Sequence, residues 1–187
     1  MVSDEALMLE FQSGSREAFE ELFLRYREPL YGFFRRRLAN RERAEDLAQE
    51  TFLAVIRAAV RYEPKAMVKT YFYGIALKLL ATERRKLSGN EPQLDDEYEP
   101  AEDGPSEEAL WVRQALEKLD VGEREILMLR EYEQLSYEEI AQLLRLPVNT
   151  VRSRLFRARM ALKNFLEPKY NKQSRVRGIA AEGEAKS

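Results

Sequence analysis

The chain contains no cysteine and no histidine. Disulfides are therefore excluded, as is any metal site built on Cys or His ligands. Ser-His-Asp and Cys-His nucleophilic centres are excluded with them. Carboxylate-only hydrolysis and an acid-only Mg²⁺ site stay formally open. Long apolar runs are missing too, and the longest stretches fall far short of a membrane span. The N-terminal MVSDEALMLEFQSGS has acids early and no apolar core, so it does not read as a secretory signal. Nor is there an excess of one charge: 31 Lys and Arg face 33 Asp and Glu, a formal net charge of −2. That balance argues against a generic nucleic-acid binder and shifts attention to how charge is distributed along the chain. The expectation is a soluble, cytoplasmic protein without cofactor or metal. Its 187 residues suit one domain or two small ones.

Charge is in fact segregated. Residues 88–108, SGNEPQLDDEYEPAEDGPSEE, contain no Lys or Arg, three prolines and a run of acids. Such a segment buries too little apolar surface to offset its ordering entropy. It reads as a flexible, self-repelling tether rather than an unusually long loop inside one domain. The expected organisation is a helical domain over 1–88, an acidic linker over 89–105, a second helical domain over 106–170 and a disordered tail over 171–187.

Both halves carry helical periodicity, and no alternating β pattern is present, so the expected fold class is all-α. Residues 16–39 place Phe19, Leu22, Phe23, Tyr26, Leu30, Phe33 and Leu38 on one stripe. Ser15 stands at the N-cap, and Pro29 should kink or divide the helix. Residues 41–61 repeat the pattern with Ala44, Leu47, Ala48, Phe52, Val55, Ile56 and Ala59. After the break YEPKA, residues 67–87 form a third amphipathic stretch. Beyond the linker, Ser106 caps a helix to about Leu119, and a second follows over 122–133. Ser136 and Glu139 form a capping-box pair for a helix ending near Leu144. A turn from Arg145 to Val148 leads into a last helix, which Asn149 can cap.

Helix, short turn and arginine-rich helix make a helix-turn-helix pattern. On a helical wheel at roughly 100° per residue, Val151, Leu155, Ala158 and Leu162 cluster on one side. Arg152, Ser153, Phe156 and Arg157 fall on the other, and Arg154 and Arg159 flank the apolar stripe. From Arg145 to Arg177, Glu167 is the one acid against ten Lys and Arg. Phe156 amid arginines makes sense on a face that enters a DNA groove. There an aromatic can touch thymine methyls and Arg can pair with guanine. Arg154 and Arg159 are better placed for phosphates, which position rather than specify.

A second constellation lies in AEDLAQETFLAVIRA, residues 44–58. Asp46, Gln49, Glu50 and Leu53 share a face away from the apolar stripe. Acids, an amide and a leucine suit docking to a basic, partly apolar helix. On the residues alone, a solvated acidic face is the simpler reading.

AEDLAQETF, followed by SYEEIAQLL and PVNTVRSRLFRARMAL, strongly resembles the extracytoplasmic-function (ECF) class of bacterial sigma factors. The resemblance covers about 10–90 and 106–167. It implies a two-domain promoter-specificity subunit with no catalytic site, cofactor or metal. Its implied partners are core RNA polymerase, through the β′ clamp and the β subunit, promoter DNA and, in many family members, an anti-sigma factor. It implies a monomer outside the polymerase complex. By motif position, Asp46, Gln49, Glu50 and Leu53 would dock on the β′ clamp. The loop Arg61–Met67 would capture a flipped base of the −10 element, with Arg61 and Lys65 on phosphate and Tyr62 stacking. Tyr71, Lys78, Arg84 and Arg85 on the following helix would join that surface. Arg152, Ser153, Arg154, Phe156 and Arg157 would contact the −35 element. The acidic linker would run through the polymerase cleft, mimicking nucleic-acid charge in a basic channel.

This chain departs from the family pattern at several positions. Tyr71 stands for a usual Trp and Lys78 for a common Asn, both beside the melting loop. Arg145, Asn149 and Gln134 stand where Gly is typical. A left-handed Arg145 costs about 1 kcal/mol. Two other readings are a helix-turn-helix regulator that never docks on polymerase and an anti-sigma-like adaptor. The Asp46/Gln49 face counts against the first and the outward Arg152/Phe156/Arg157 face against the second. Asp95, Asp96 and Glu97 are the nearest candidates for catalysis, but they sit in a polar segment where carboxylates stay ionised.

Overall fold

The computed structural model describes residues 2–64, 67–89 and 106–184, with residues 88–89 and 168–184 described in backbone only. Among the described residues there are eight helices and no strand. The chain separates into two units, with the division falling between Glu99 and Pro100. The expected linker, 89–105, lies outside the described residues apart from its first.

The first unit is built from α1 (Asp4–Gln12), α2 (Arg16–Arg35), α3 (Arg41–Ala59) and α4 (Val68–Gly89). Side-chain caps start three of these helices. The hydroxyls of Ser3 and Ser15 accept the Ala6 and Ala18 N–H groups, and the Asn40 amide oxygen accepts the Arg43 N–H. Each satisfies an N–H that has no partner within the helix. The core holds Met8, Leu22, Leu30, Phe33, Phe34, Leu47, Phe72, Tyr73 and Leu80, all essentially inaccessible to water. Tyr26 stacks on Phe72 with ring centroids 4.4 Å apart. α2 is a single element through Pro29, so the proline does not divide it. Phe23 and Ile56, expected on the buried stripes, are instead largely exposed. They lie at the stripes' edges, and Phe23 keeps one ring contact, with Phe52 at 4.8 Å between centroids. α1 was not anticipated from the sequence. Nine residues opening on two acids carry too weak a periodic signal to register alone.

The second unit comprises α5 (Glu107–Glu117), α6 (Val121–Glu131), α7 (Tyr137–Leu144) and α8 (Val148–Glu184). α5, α6 and α7 all pack on α8. Ser106 caps α5, Asp120 caps α6, and Ser136 with Glu139 completes both halves of a capping box on α7. Asn149 is not a cap. α8 begins one residue earlier, and the Pro147 carbonyl accepts the Thr150 and Val151 N–H groups. Pro147 thus stands at the cap position, with no N–H of its own to satisfy, and Asn149 falls inside the first turn. Gln134 and Arg145 both have φ of 55°. Arg145 ends α7 in the left-handed conformation, and the next N–H, from Leu146, reaches back to the Ala141 carbonyl at 2.9 Å. That is how a glycine usually ends a helix; here arginine and glutamine carry the strain. α8 also continues to Glu184, where a disordered tail was expected from Asn171. Lys, Arg, Gln, Ala and Glu in that stretch all favour helix, which the reading from polarity alone passed over.

Candidate nucleic-acid and polymerase interfaces

α7 and the first turns of α8 form the helix-turn-helix. Val151, Leu155 and Ala158 are buried against the unit's core, as the wheel requires. Phe156 is 66 % exposed, and Arg152, Ser153 and Arg157 are exposed with it. What distinguishes this ring is its flanking guanidiniums, an arrangement that suits a DNA groove, where an aromatic can touch thymine methyls and Arg can pair with guanine. The arginines are not loose. The Arg152 guanidinium lies 6.0 Å from the centre of the Tyr137 ring on α7. Arg157 Nε donates to a Glu123 carboxylate oxygen on α6 at 2.6 Å. Arg159 donates to Glu131 at 2.6 Å, which raises its already high pKa. Arg154 is half-buried beside Gly122, where a Cβ would come within 3.1 Å of its guanidinium. Ser153 donates to the Thr150 carbonyl at 3.0 Å, leaving its oxygen lone pairs outward. Glu123 and Glu131 were missed as partners. Both are 28–34 residues away in sequence, beyond any local pattern.

On α3 the structure separates the four expected docking residues. Asp46, Gln49 and Leu53 are exposed, with Leu53 at 54 %. Ile56 and Val60 extend the same face by two turns, Val60 being 85 % exposed. Asp46 lies 3.6 Å from Arg43 Nη1 across the helix surface, but Glu50 is held more closely. It is half-buried and accepts from Arg43 Nη1 at 3.0 Å. Arg43 in turn forks onto Glu83 of α4 through Nε at 2.7 Å and Nη2 at 2.8 Å. Glu83 is nearly buried, and the Arg43 hydrogen bonds hold its carboxyl below the usual carboxylate range despite that burial. Glu50 therefore belongs first to an internal ion-pair network that ties α3 to α4.

The loop after α3 is anchored at both described ends by α1. Gln12 Nε2 donates to the Ala59 carbonyl at 2.5 Å and the Tyr62 carbonyl at 2.9 Å. The Glu5 carboxylate accepts the Val68 N–H at 3.1 Å, at the start of α4. Asp4 beside it receives Arg25 and the Tyr26 hydroxyl. Tyr62 does not stand free to stack on a base. It is buried, with its ring edge-on to Tyr71 at 5.3 Å, and burial pushes its phenol pKa up. An aromatic next to an apolar helix start gains more from that contact than from water. Tyr71 is half-buried, its phenol likewise raised by burial, whereas Arg61, Lys78, Arg84 and Arg85 are exposed. Lys65 lies outside the described residues.

Among the described residues no group of three or more acids could hold a metal ion, and no helix is long and apolar enough to cross a membrane.

Two family descriptions match the chain: sigma-70 region 2 over residues 22–89 and sigma-70 region 4 over residues 109–162. The RNA polymerase sigma-H factor of Pseudomonas aeruginosa is 32 % identical over 182 residues, covering 88 % of this chain and 94 % of that protein. The ECF RNA polymerase sigma-E factor of Escherichia coli is 32 % identical over 184 residues, covering 89 % and 96 %. Among solved structures, CnrH in complex with the cytosolic domain of CnrY aligns with a TM-score of 0.68 at 25 % identity, covering 88 % of this chain and 97 % of that one. The sigma factor RpoE in complex with the anti-sigma factor NepR from Bartonella quintana aligns with a TM-score of 0.66 at 26 % identity, covering 80 % and 96 %. The fold and the outward arginine face thus belong to a bacterial sigma factor of the sigma-70 superfamily. Within it, the chain is a member of the ECF class.

Proposed function

We propose that this ECF sigma factor reads promoters through two separate surfaces and docks on core RNA polymerase through a third. Sigma factors are not enzymes, and their work is recognition. The observation that carries the reading is the recognition helix: Val151, Leu155 and Ala158 sink into the core while Arg152, Ser153, Phe156 and Arg157 face out. This face suits the major groove of the −35 element, and the half-buried Arg154 reaches a flanking phosphate. Arg61, Lys78, Arg84 and Arg85 offer the exposed cations of a −10 surface. Tyr62 acts there as a prop for the loop rather than as a stacking platform. Asp46, Gln49 and Leu53, extended by Ile56 and Val60, form the face for the β′ clamp. A cognate anti-sigma factor covering these surfaces, as the solved complexes of CnrH and RpoE hold their own partners, completes the proposal. The site of action is the cytoplasm, where core polymerase resides.

The test is reconstitution with purified core polymerase and transcription from a promoter library randomised over both elements. Stable binding with selective initiation is expected. DNA binding without polymerase binding would instead support a free-standing regulator. In the same assay Arg152→Ala should weaken −35 recognition by roughly 1–3 kcal/mol, and unchanged selection would remove it from the readout.

A further inference from the structure

The arginine reader Arg157 has a partner that groove recognition by itself does not require. Glu123 sits in the first turn of α6, on the helix that packs behind α8. Its side chain is 17 % exposed, against 59 % for Arg157. Its backbone N–H is itself held by the Asp120 cap at 3.2 Å. The Glu123 backbone is thus held at the helix start and its carboxylate is the more buried partner, while the guanidinium is the part that reaches outward. Contact is through Nε, at 2.6 Å. A guanidinium has two hydrogen-bonding edges, one of which includes Nε. Once a carboxylate occupies Nε, the terminal Nη1/Nη2 edge is the one left to pair with a base.

We infer that Glu123 is a positioning residue for promoter recognition, holding Arg157 so that its terminal nitrogen edge meets a guanine end-on. The inference rests on the −35 reading of α8 proposed above. Two physical consequences favour it over a merely structural ion pair. The rotamer freedom of a long arginine is lost on folding, so less remains to be lost on binding DNA. The carboxylate also offsets the arginine's charge, which weakens capture by any phosphate and leaves the oriented base contact relatively favoured. An exposed salt bridge gives little stability, so holding a reader in place is the larger effect available to this one.

The test uses the full chain with core polymerase and a promoter library randomised across the upstream element. Arg157→Ala first identifies the base position that Arg157 reads. At that position Glu123→Ala should lower base discrimination by about fivefold, within the range of one oriented arginine contact. Glu123→Gln should keep most of it, because the amide oxygen still accepts from Nε. In an Arg157→Ala background, Glu123→Ala should change base preference no further. Unaltered discrimination in Glu123→Ala overturns the inference. So does an equal loss at every position with a lowered melting temperature that Glu123→Gln does not restore, since that marks a structural role. If the unsubstituted protein selects no upstream sequence at all, the −35 reading fails, and the role of Glu123 with it. Normal selection by the unsubstituted protein alongside an unaltered Glu123→Ala sinks the Glu123 role alone.

Discussion

Within each unit, long-range polar contacts serve different ends: in the first they anchor backbone groups around a loop, and in the second they tether arginine side chains of α8. In the second, the helix starts are secured locally. Ser106, Asp120 and Ser136 each bond to N–H groups two or three residues on. In the first, local caps are joined by long-range ties. Gln12 reaches 47 and 50 residues, Glu5 reaches 63 and Arg43 reaches 40. The first unit has to hold a loop between two helices at a fixed spacing, and bonds from a third helix do that. The second has to present one helix face: burying the opposite face orients it, and Glu123 and Glu131 tether two of its arginines.

The largest expected effect separates these designs. Arg43→Ala removes the two-point fork on the nearly buried Glu83 carboxylate and leaves it only Lys86 at 3.9 Å among the ion pairs described, so it should cost roughly 2–3 kcal/mol, less than breaking a fully buried pair. The chain's single tryptophan, Trp111, lies on α5 and reports on the second unit. Urea denaturation should therefore move the circular dichroism transition while leaving the Trp111 fluorescence midpoint in place. A common shift of both would show that the units do not unfold separately. The same pair gives an acid limit. Because the folded pKa of Glu83 is depressed, its contribution is present above the ordinary value of 4.5 and is lost as pH falls through the lower folded value. Arg43→Ala should flatten the acid-side stability profile in that window.

Next in size is Gln12→Ala. It leaves two carbonyls at the end of α3 without their amide donor and should cost about 1–2 kcal/mol. Hydrogen exchange should speed up around residues 59–64 more than in α2. Uniform acceleration across the unit would mean that the tie is not specific to the loop. Smaller again is Arg145→Gly, which relieves a left-handed arginine and adds the chain entropy of glycine. A net gain of about 0.5–1 kcal/mol is expected, read from the Trp111 midpoint. A loss would show that the Arg145 side chain matters more than its backbone. Smallest in stability is Leu53→Arg on the exposed face of α3, within about 0.5 kcal/mol of the parent. Its sharp effect should be weaker binding to core polymerase, measured by gel filtration. Retained binding would move the docking face elsewhere.

Where function was legible from the sequence, short-range pattern carried it. The wheel put Phe156 outside and Leu155 inside, and both lie there. Ser136 and Glu139 announced α7 through a spacing that fixes both hydrogen bonds at once. Tyr62 went the other way. In RYEPKAM it reads as an exposed aromatic in a loop, and nothing nearby shows that Tyr71 closes over it. Glu50 looks like Asp46 four residues before it, yet the fork of Arg43 onto Glu83 draws it inward.

By itself the sequence determined the helical class, the division by an acidic stretch, the caps and the faces of single helices. Each follows from residues within about one or two helical turns of one another, where 3.6-residue periodicity and capping geometry act. Tertiary structure alone decided which charged side chains meet. It placed Glu123 against Arg157, Glu83 against Arg43, and Gln12 and Glu5 at the two ends of the loop. Those pairings depend on helix packing, which brings together residues that no local spacing relates.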